Sequence, residues 1–440
     1  MSLRSAIQPQ ITAAITSSST RSLRRGIVES LRQVRGRPHR VRYFHQVDDP
    51  YSHLAAQLLE PLLERYGIEL EVHLVSPPTD AAAPDRDRLV AYSRVDAARV
   101  AEARGLAFRD RAAQPAAELV MQATRVLATA RSPRAFAALA PRVGEALWDG
   151  DGATLTSIGR QGRTTVSDVA ALLARGDRLR ARLGHYLGAV FHYGGESYWG
   201  VDRLGYLEKR LIDVGAQRPT QGSLLAPRIE VSDERIDAAG LTLDFFFSLR
   251  SPYSYISMPR TYDLAARTGV TLRLRPVLPM VMRGLPVPAA KRMYITLDSK
   301  REAESVGLPF GRICDPVGRP VERGFSLYPY AVSKKREQEY VLAFCRAAFA
   351  EGIDCGSDAG LRQVVESAGM SWEAASQHID IDGWRPELEA NRAEMLAMGV
   401  WGVPSFRLTG PAGSEDFCTW GQDRIWMIED EIFRRCGAGA

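Results

Sequence analysis

Between residues 241 and 277 the chain passes through two hydrophobic periods. Leu243-Asp244-Phe245-Phe246-Phe247 is a nearly unbroken run of aliphatic and aromatic residues, which predicts a buried strand. Ser251 then supplies a hydroxyl suited to a helix N-cap, and Pro252 stands at the first helical position, where its missing N–H costs nothing. Helical spacing continues to Arg267 and stops at Gly269, and Val270–Val277 predicts a second strand. Strand, helix and strand in so short a span form a βαβ unit with parallel strands and a right-handed crossover. One hydroxyl is thereby placed at the positive end of a helix dipole. Such a position stabilises an anion and can hold a thiol as thiolate.

The same pattern occurs earlier. A shift of 202 residues lays Val41–Phe108 on Leu243–Phe310 without a gap, and 19 of the 68 pairs are identical, against a chance rate of roughly one in fifteen. The matches fall at structural punctuation: Pro50-Tyr51-Ser52 on Pro252-Tyr253-Ser254, Gly67 on Gly269, Tyr92 and Asp96 on Tyr294 and Asp298. Stretches of helical spacing follow in both copies, about residues 110–180 and 330–398. The copies rejoin at an offset of 215, where Leu183-Gly184-His185-Tyr186 lies on Met398-Gly399-Val400-Trp401 and Phe191 on Phe406, so the second insert is 13 residues longer. After a hairpin, Trp199-Gly200-Val201-Asp202-Arg203 meets Trp420-Gly421-Gln422-Asp423-Arg424, and a terminal helix closes each copy, about 203–214 and 424–436. This reads as a duplication. The organisation it predicts is a basic arm over 1–40, a first domain over 41–215, a polar linker over 216–240 and a second domain over 241–437.

Composition alters this picture little. At 440 residues, 45% apolar and 25% charged, the chain has the balance of ordinary globular domains and room for two or three of them. The net charge of +5 is concentrated at the start: residues 1–40 hold eight arginines against Glu29 alone, which leaves the remainder at −2. A nucleic-acid partner is therefore not expected. With no apolar run of spanning length, neither is a membrane partner. Arg21-Ser22-Leu23-Arg24-Arg25 resembles an import peptide without the apolar core of a secretory signal, and a short basic helix packed on the first domain is the expectation. All five cysteines (Cys314, Cys345, Cys355, Cys418, Cys436) follow residue 300, odd in number and in no C-x-x-C, which points to free thiols and a reducing cytoplasm.

Ser251-Pro252-Tyr253-Ser254 has the form of the glutaredoxin motif Cys-Pro-Tyr-Cys with both cysteines replaced, which keeps the geometry and removes the disulfide chemistry. A βαβ start, a helical insertion and a closing hairpin plus helix look like the thioredoxin-like fold of the DsbA type. The predicted fold is thus α/β, two tandem thioredoxin-like domains each with a helical insertion. The second copy resembles the kappa-class glutathione transferases and 2-hydroxychromene-2-carboxylate isomerases through residues 246–255, Lys291-Arg292-Met293-Tyr294 with Asp298, Gly307-Leu308-Pro309-Phe310, residues 399–406 and Gly421-Gln422-Asp423-Arg424. The resemblance implies a glutathione-dependent isomerase or transferase for a small unsaturated or aromatic carboxylate. Within it Ser251 would face the glutathione sulfur, Val403 would pair its backbone with the tripeptide, and Pro404 would be a cis-proline aiming that edge. Asp423 with Gln422 would take the γ-glutamyl end, and Lys291 the glycyl end or the substrate's carboxylate. It implies a monomer whose first copy stands in for a partner, or a homodimer. One departure is that Arg283-Gly284-Leu285-Pro286 replaces the family's usual Gly-Asn loop.

Each site residue also has a plainer role open to it: Ser251 a cap, Pro404 a turn proline, Asp423 a cap for the terminal helix, Lys291 a solvated charge. In the first copy Asp49 replaces the serine and Ala189 falls at the cis-proline position, and a carboxylate there would repel a thiolate. That copy is expected to have lost the glutathione chemistry. His45, Asp48, Asp49 and His53 carry metal-ligand types within nine residues, but helical geometry does not by itself bring them together, and no metal is expected. Two rival functions remain: a disulfide oxidoreductase relative without redox activity, and a non-catalytic binding protein.

Overall fold

The computed structural model describes residues 3–160, 165–219 and 222–437, with side chains from residue 7 onward. The expectations for residues 1–2, 161–164 and 220–221, parts of the arm, the first insertion and the linker, lie outside them. The chain divides into two compact units. The first comprises Ser22–Arg228 and Pro288–Tyr294; the second comprises Met1–Arg21, Ile229–Val287 and Ile295–Ala440.

Each unit is built on a four-stranded sheet. In the first, β1 (His39–Gln46) is flanked by parallel β2 (Ile68–Val75) and antiparallel β3 (Val190–Tyr193), and β3 pairs with β4 (Glu196–Trp199). In the second, β5 (Thr242–Phe247) lies between parallel β6 (Thr271–Pro276) and antiparallel β7 (Ser405–Thr409), and β8 (Phe417–Trp420) follows at the edge. The registers coincide under the shifts read from the sequence. Tyr43 pairs with Val72 and Phe191, while Phe245 pairs with Leu274 and Phe406. Both units are thioredoxin-like sheets of the same strand order, with helices between the second and third strands.

The near-continuous apolar pattern of 243–247 is that of a central strand covered on both faces. Phe245 and Phe247 are fully buried, with Phe245 stacked on Phe406 at 5.2 Å between ring centroids. Asp244, the polar residue in that run, is also fully buried. It is held by Arg273 at 2.7 and 3.0 Å on one neighbouring strand and by Arg407 at 2.6 and 2.9 Å on the other. A buried carboxylate is tolerable only when so paired. The first unit carries the same pair with its charges exchanged, Arg42 on Glu71 at 3.0 Å.

Among the described residues the regular structure of the insertions is helical. The first runs through helices 86–104, 117–127, 133–148, 152–159 and 166–182; the second through 289–305, 319–333, 337–346 with a π turn at 347–351, then 358–367, 372–376 and 385–397. Helices 86–104 and 289–305 exceed the expectation, which began the helical stretches later. The terminal helices Gly200–Asp213 and Ile425–Arg435 lie where expected.

The arm and the linker are not separate bodies. Helix Leu3–Thr16 groups with the second unit, where Thr12 Oγ accepts from Ile313 N at 2.8 Å and Thr16 Oγ donates to Gly311 O at 3.2 Å. Only from Ser22 does the arm group with the first unit, as expected for all of it; Arg25 there grips Glu196 with two contacts of 2.7 Å. The linker divides at Arg228. Its first part is fixed by buried Glu208, which accepts from Leu225 N and Ala226 N at 2.8 and 3.0 Å. Its second part is fixed by Glu429, the matching residue of the other terminal helix, which accepts from Ser232 N at 2.8 Å and pairs with Arg267.

Candidate functional site

β5 delivers the chain to Ser251, whose extended backbone (φ −96°, ψ 110°) caps the 17-residue helix Pro252–Thr268. Its hydroxyl oxygen accepts from Ser254 N at 3.1 Å. Arg250 is fixed beside it by a two-pronged pair with Asp315 at 2.6 and 2.7 Å. Beneath the turn, Ser248 N donates to Ser254 Oγ at 3.4 Å, tying the end of the strand to the first helical turn.

The segment before β7 comes directly against this cap. Ser251 Oγ lies 3.4 Å from Val403 O, and the peptide bond between Val403 and Pro404 is cis, as the sequence led us to expect. Among the described residues the amide of Val403 donates to no protein group. Pro404 O accepts from Gly421 N at 2.9 Å, which brings the turn after β8 alongside. Gly421 has φ 127°, and a Cβ there would meet Asp423 Oδ1 at 2.6 Å, so only glycine lets that carboxylate fold back over the turn. Asp423 sits half-buried in the 3-10 turn Gln422–Arg424 and does not cap the terminal helix, whose cap position is Arg424.

Ser251, Val403, Pro404 and Asp423 are thus gathered on neighbouring turns of one unit. Gln422 and Lys291 depart from the expectation. The Gln422 side chain is buried: its Nε2 donates to Glu302 at 2.7 Å and its Oε1 accepts from Arg260 at 3.3 Å, so it holds the turn that carries Asp423 instead of facing a ligand. Lys291 groups with the first unit, and its ammonium donates to Ala82 O at 2.9 Å. Burial lowers its pKa to about 8. A residue missed from sequence is Arg283, whose guanidinium donates to Trp401 O at 3.1 Å, two residues before Val403. Its place in the loop where the usual Gly-Asn is absent was the available signal.

The corresponding turn of the first unit is built otherwise. Asp49 accepts from Tyr51 N (3.3 Å), Ser52 N (3.0 Å) and the Ser52 hydroxyl (2.7 Å). Burial pushes its carboxyl up to about 6, against the pull of those bonds. Gly188, level with Val403, lies so close that a Cβ would meet Gln46 Cβ at 2.6 Å and Asp49 Oδ2 at 3.0 Å. His45 and His53 bond to other groups than Asp49: one ring bonds to the Tyr43 hydroxyl at 3.0 Å and the other to Ala107 O at 3.0 Å. Burial lowers both, to about 3 and about 4, so they are neutral core imidazoles.

All five cysteines are free thiols, and burial raises Cys314 to about 11 and holds Cys345 and Cys355 still more firmly protonated. Among the described residues no helix is long and apolar enough to cross a membrane.

Residues 242–433 match the DsbA-like thioredoxin domain. The chain is similar to the 2-hydroxychromene-2-carboxylate isomerase of Sphingobium xenophagum, 27% identical over 205 residues, which are 43% of this chain and 97% of that protein. The isomerase of the same name from Pseudomonas putida is 24% identical over 208 residues, 46% of this chain and 98% of that protein. A solved 2-hydroxychromene-2-carboxylate isomerase aligns with a TM-score of 0.37 at 24% identity, covering 44% of this chain and 96% of the other.

Proposed function

Because residues 242–433 form a DsbA-like thioredoxin domain, we propose that the second unit is a glutathione-dependent isomerase or transferase for a small unsaturated or aromatic carboxylate, in line with the named reaction of its relatives. The observation that carries this reading is Ser251 Oγ, at the N-terminus of a 17-residue helix, lying against the carbonyl of Val403, whose amide donates to no protein group among the described residues. These residues fit the tripeptide: a hydroxyl and a positive helix end for sulfur, a free peptide edge for its backbone, a carboxylate for its ammonium.

Glutathione, when bound, supplies the thiolate that adds to an unsaturated carbon and leaves again. The chain's part is electrostatic and positional. Ser251 donates one hydrogen bond to the charged sulfur, and its present contact with Val403 O, at the long end of the range, is given up at small cost. Val403 N–H receives the tripeptide as an added strand. Asp423 takes the γ-glutamyl ammonium, and Arg283 supplies the cation for a carboxylate in place of Lys291. Free thiols suit a reducing, cytoplasmic setting, and Cys314, Cys345 and Cys355, held protonated by burial, take no part.

Calorimetric titration of reduced glutathione into the intact chain tests this. One site per chain is expected, lost in Ser251→Asp. Two equivalent sites, or no binding at millimolar ligand, would overturn it. The displaced Lys291 and committed Gln422 favour a second reading, a glutathione-binding module without turnover, which binding with no isomerisation of unsaturated carboxylates would select.

A further inference from the structure

The helix Ser18–Val34 places its apolar residues where the fold does not use them. Leu23, Ile27, Leu31 and Val34 recur at helical spacing on one face and are 65%, 52%, 47% and 86% exposed. No residue of this helix is buried. Its other side is the one fixed to the protein, where Arg25 is paired with Glu196, while Arg32 pairs within the helix with Glu29. Glu196, Glu29 and Glu304 are each already paired with an arginine of this helix, Arg25, Arg32 and Arg21. Arg24 and Arg35 border the apolar stripe, Arg37 follows it, and all three are exposed. Among the described residues no carboxylate pairs with them.

We propose that this helix docks on an anionic lipid surface, lying flat with the stripe in the headgroup boundary and the bordering arginines on the lipid charges. An amphipathic helix of low overall hydrophobicity with an arginine-rich polar side has the form of an interfacial helix. A second copy of the chain fits less well. A two-fold contact through the stripe brings Arg24 and Arg35 toward their own copies, with no acid on that face to balance them. The sequence expectation of no membrane partner concerned spanning segments. A helix lying in the interface needs none.

The full-length protein is sedimented with vesicles of phosphatidylcholine alone or mixed with phosphatidylglycerol, at low and high salt. Binding to the anionic vesicles is expected to exceed neutral binding by about tenfold or more and to fall as salt rises, since each bordering arginine contributes about a fivefold factor. Leu23→Gln/Ile27→Gln/Leu31→Gln keeps the melting temperature, because these side chains are in solvent, and weakens vesicle binding by at least about tenfold. Arg24→Gln/Arg35→Gln removes the preference for anionic lipid. The proposal is overturned by no sedimentation with anionic vesicles, or by sedimentation that neither variant changes. It is equally overturned by concentration-dependent self-association, without vesicle binding, that the triple variant abolishes, which would assign the stripe to a second copy.

Discussion

At the end of β1 the chain turns into Pro50-Tyr51-Ser52 behind Asp49, and at the end of β5 into Pro252-Tyr253-Ser254 behind Ser251. In both turns the last serine accepts from the strand end, Gln46 N on Ser52 Oγ and Ser248 N on Ser254 Oγ. The tyrosines also agree, with Tyr51 on Asp96 at 2.7 Å and Tyr253 on Asp298 at 2.9 Å. What differs is the segment that crosses in front. In the first unit Ala189 N donates to Ser52 Oγ at 2.8 Å, a bond that Pro404 has no N–H to make, and Gly188 admits the chain against the Asp49 carboxylate. The Ser52 oxygen is thereby engaged from both sides. In the second, proline withholds that donor, while the Val403 amide, like that of Gly188, donates to no protein group among the described residues. The scaffold of a site and the vacancy that makes it one are thus separable, and a few residues decide the second.

The sharpest way to break the comparison is to move the first turn's acid into the second. Ser251→Asp removes a donor to sulfur and sets a like charge within hydrogen-bond distance, together worth on the order of 4 kcal/mol at an effective dielectric near 20. Turnover of an unsaturated carboxylate with glutathione should fall about a thousandfold, read from kcat/KM. A loss below about tenfold would show that sulfur does not sit at this residue.

Next in size is a place where the units should behave alike. Glu208→Ala strands the amides of Leu225 and Ala226, and Glu429→Ala strands the amide of Ser232 and takes from Arg267 one of its two carboxylates, leaving Asp263. Orphaning such buried partners costs about 3 kcal/mol. Scanning calorimetry should show each variant lowering the melting of its own unit, and a chain melting like the parent would count against the linker being anchored at both ends.

Ser251→Ala is milder. Charge-assisted hydrogen bonds contribute about 1.5–3 kcal/mol, so the bound thiol's pKa should rise by roughly 1–2 units while tripeptide affinity changes less. The ultraviolet absorbance of the thiolate followed against pH reports it. An unmoved midpoint would assign thiol ionisation to the helix terminus alone and return Ser251 to being a cap.

The strands, their registers and the turn at Ser251 were legible because they rest on local patterns: a covered central strand, a cap with proline behind it, and shifts of 202 and 215 residues that keep the partners of β1 and β5 in step. Helices 86–104 and 289–305 were missed because their apolar residues are spread around the axis and show no stripe. The exchange of Arg42–Glu71 for Asp244–Arg273 could not be read either, since pairing across strands is invisible until the register is known. Lys291 and Gln422 misled for a related reason. A matching motif fixes where a residue lies in the chain, but its long side chain can turn to a closer partner, here Ala82 O and Glu302.

The smallest effect tests whether the first turn is closed upon itself. The Asp49 carboxyl has a folded pKa of about 6, raised by burial from an ordinary value near 4. A raised acid binds its proton more tightly in the folded state, so the associated stability is fully present below about pH 4 and is lost as pH rises through 6. The side chain is only partly enclosed, so the full two-unit shift is discounted to about 1–2 kcal/mol between pH 4 and 7.5. Asp49→Asn has no charge to desolvate, and relative to it the parent should lose that amount across the window, measured by urea unfolding monitored in the first unit. Carbon NMR of the Asp49 carboxyl should show a midpoint near 6. A midpoint near 4 with a flat stability difference would mean that water reaches this carboxylate, and that the first turn is as open as the second.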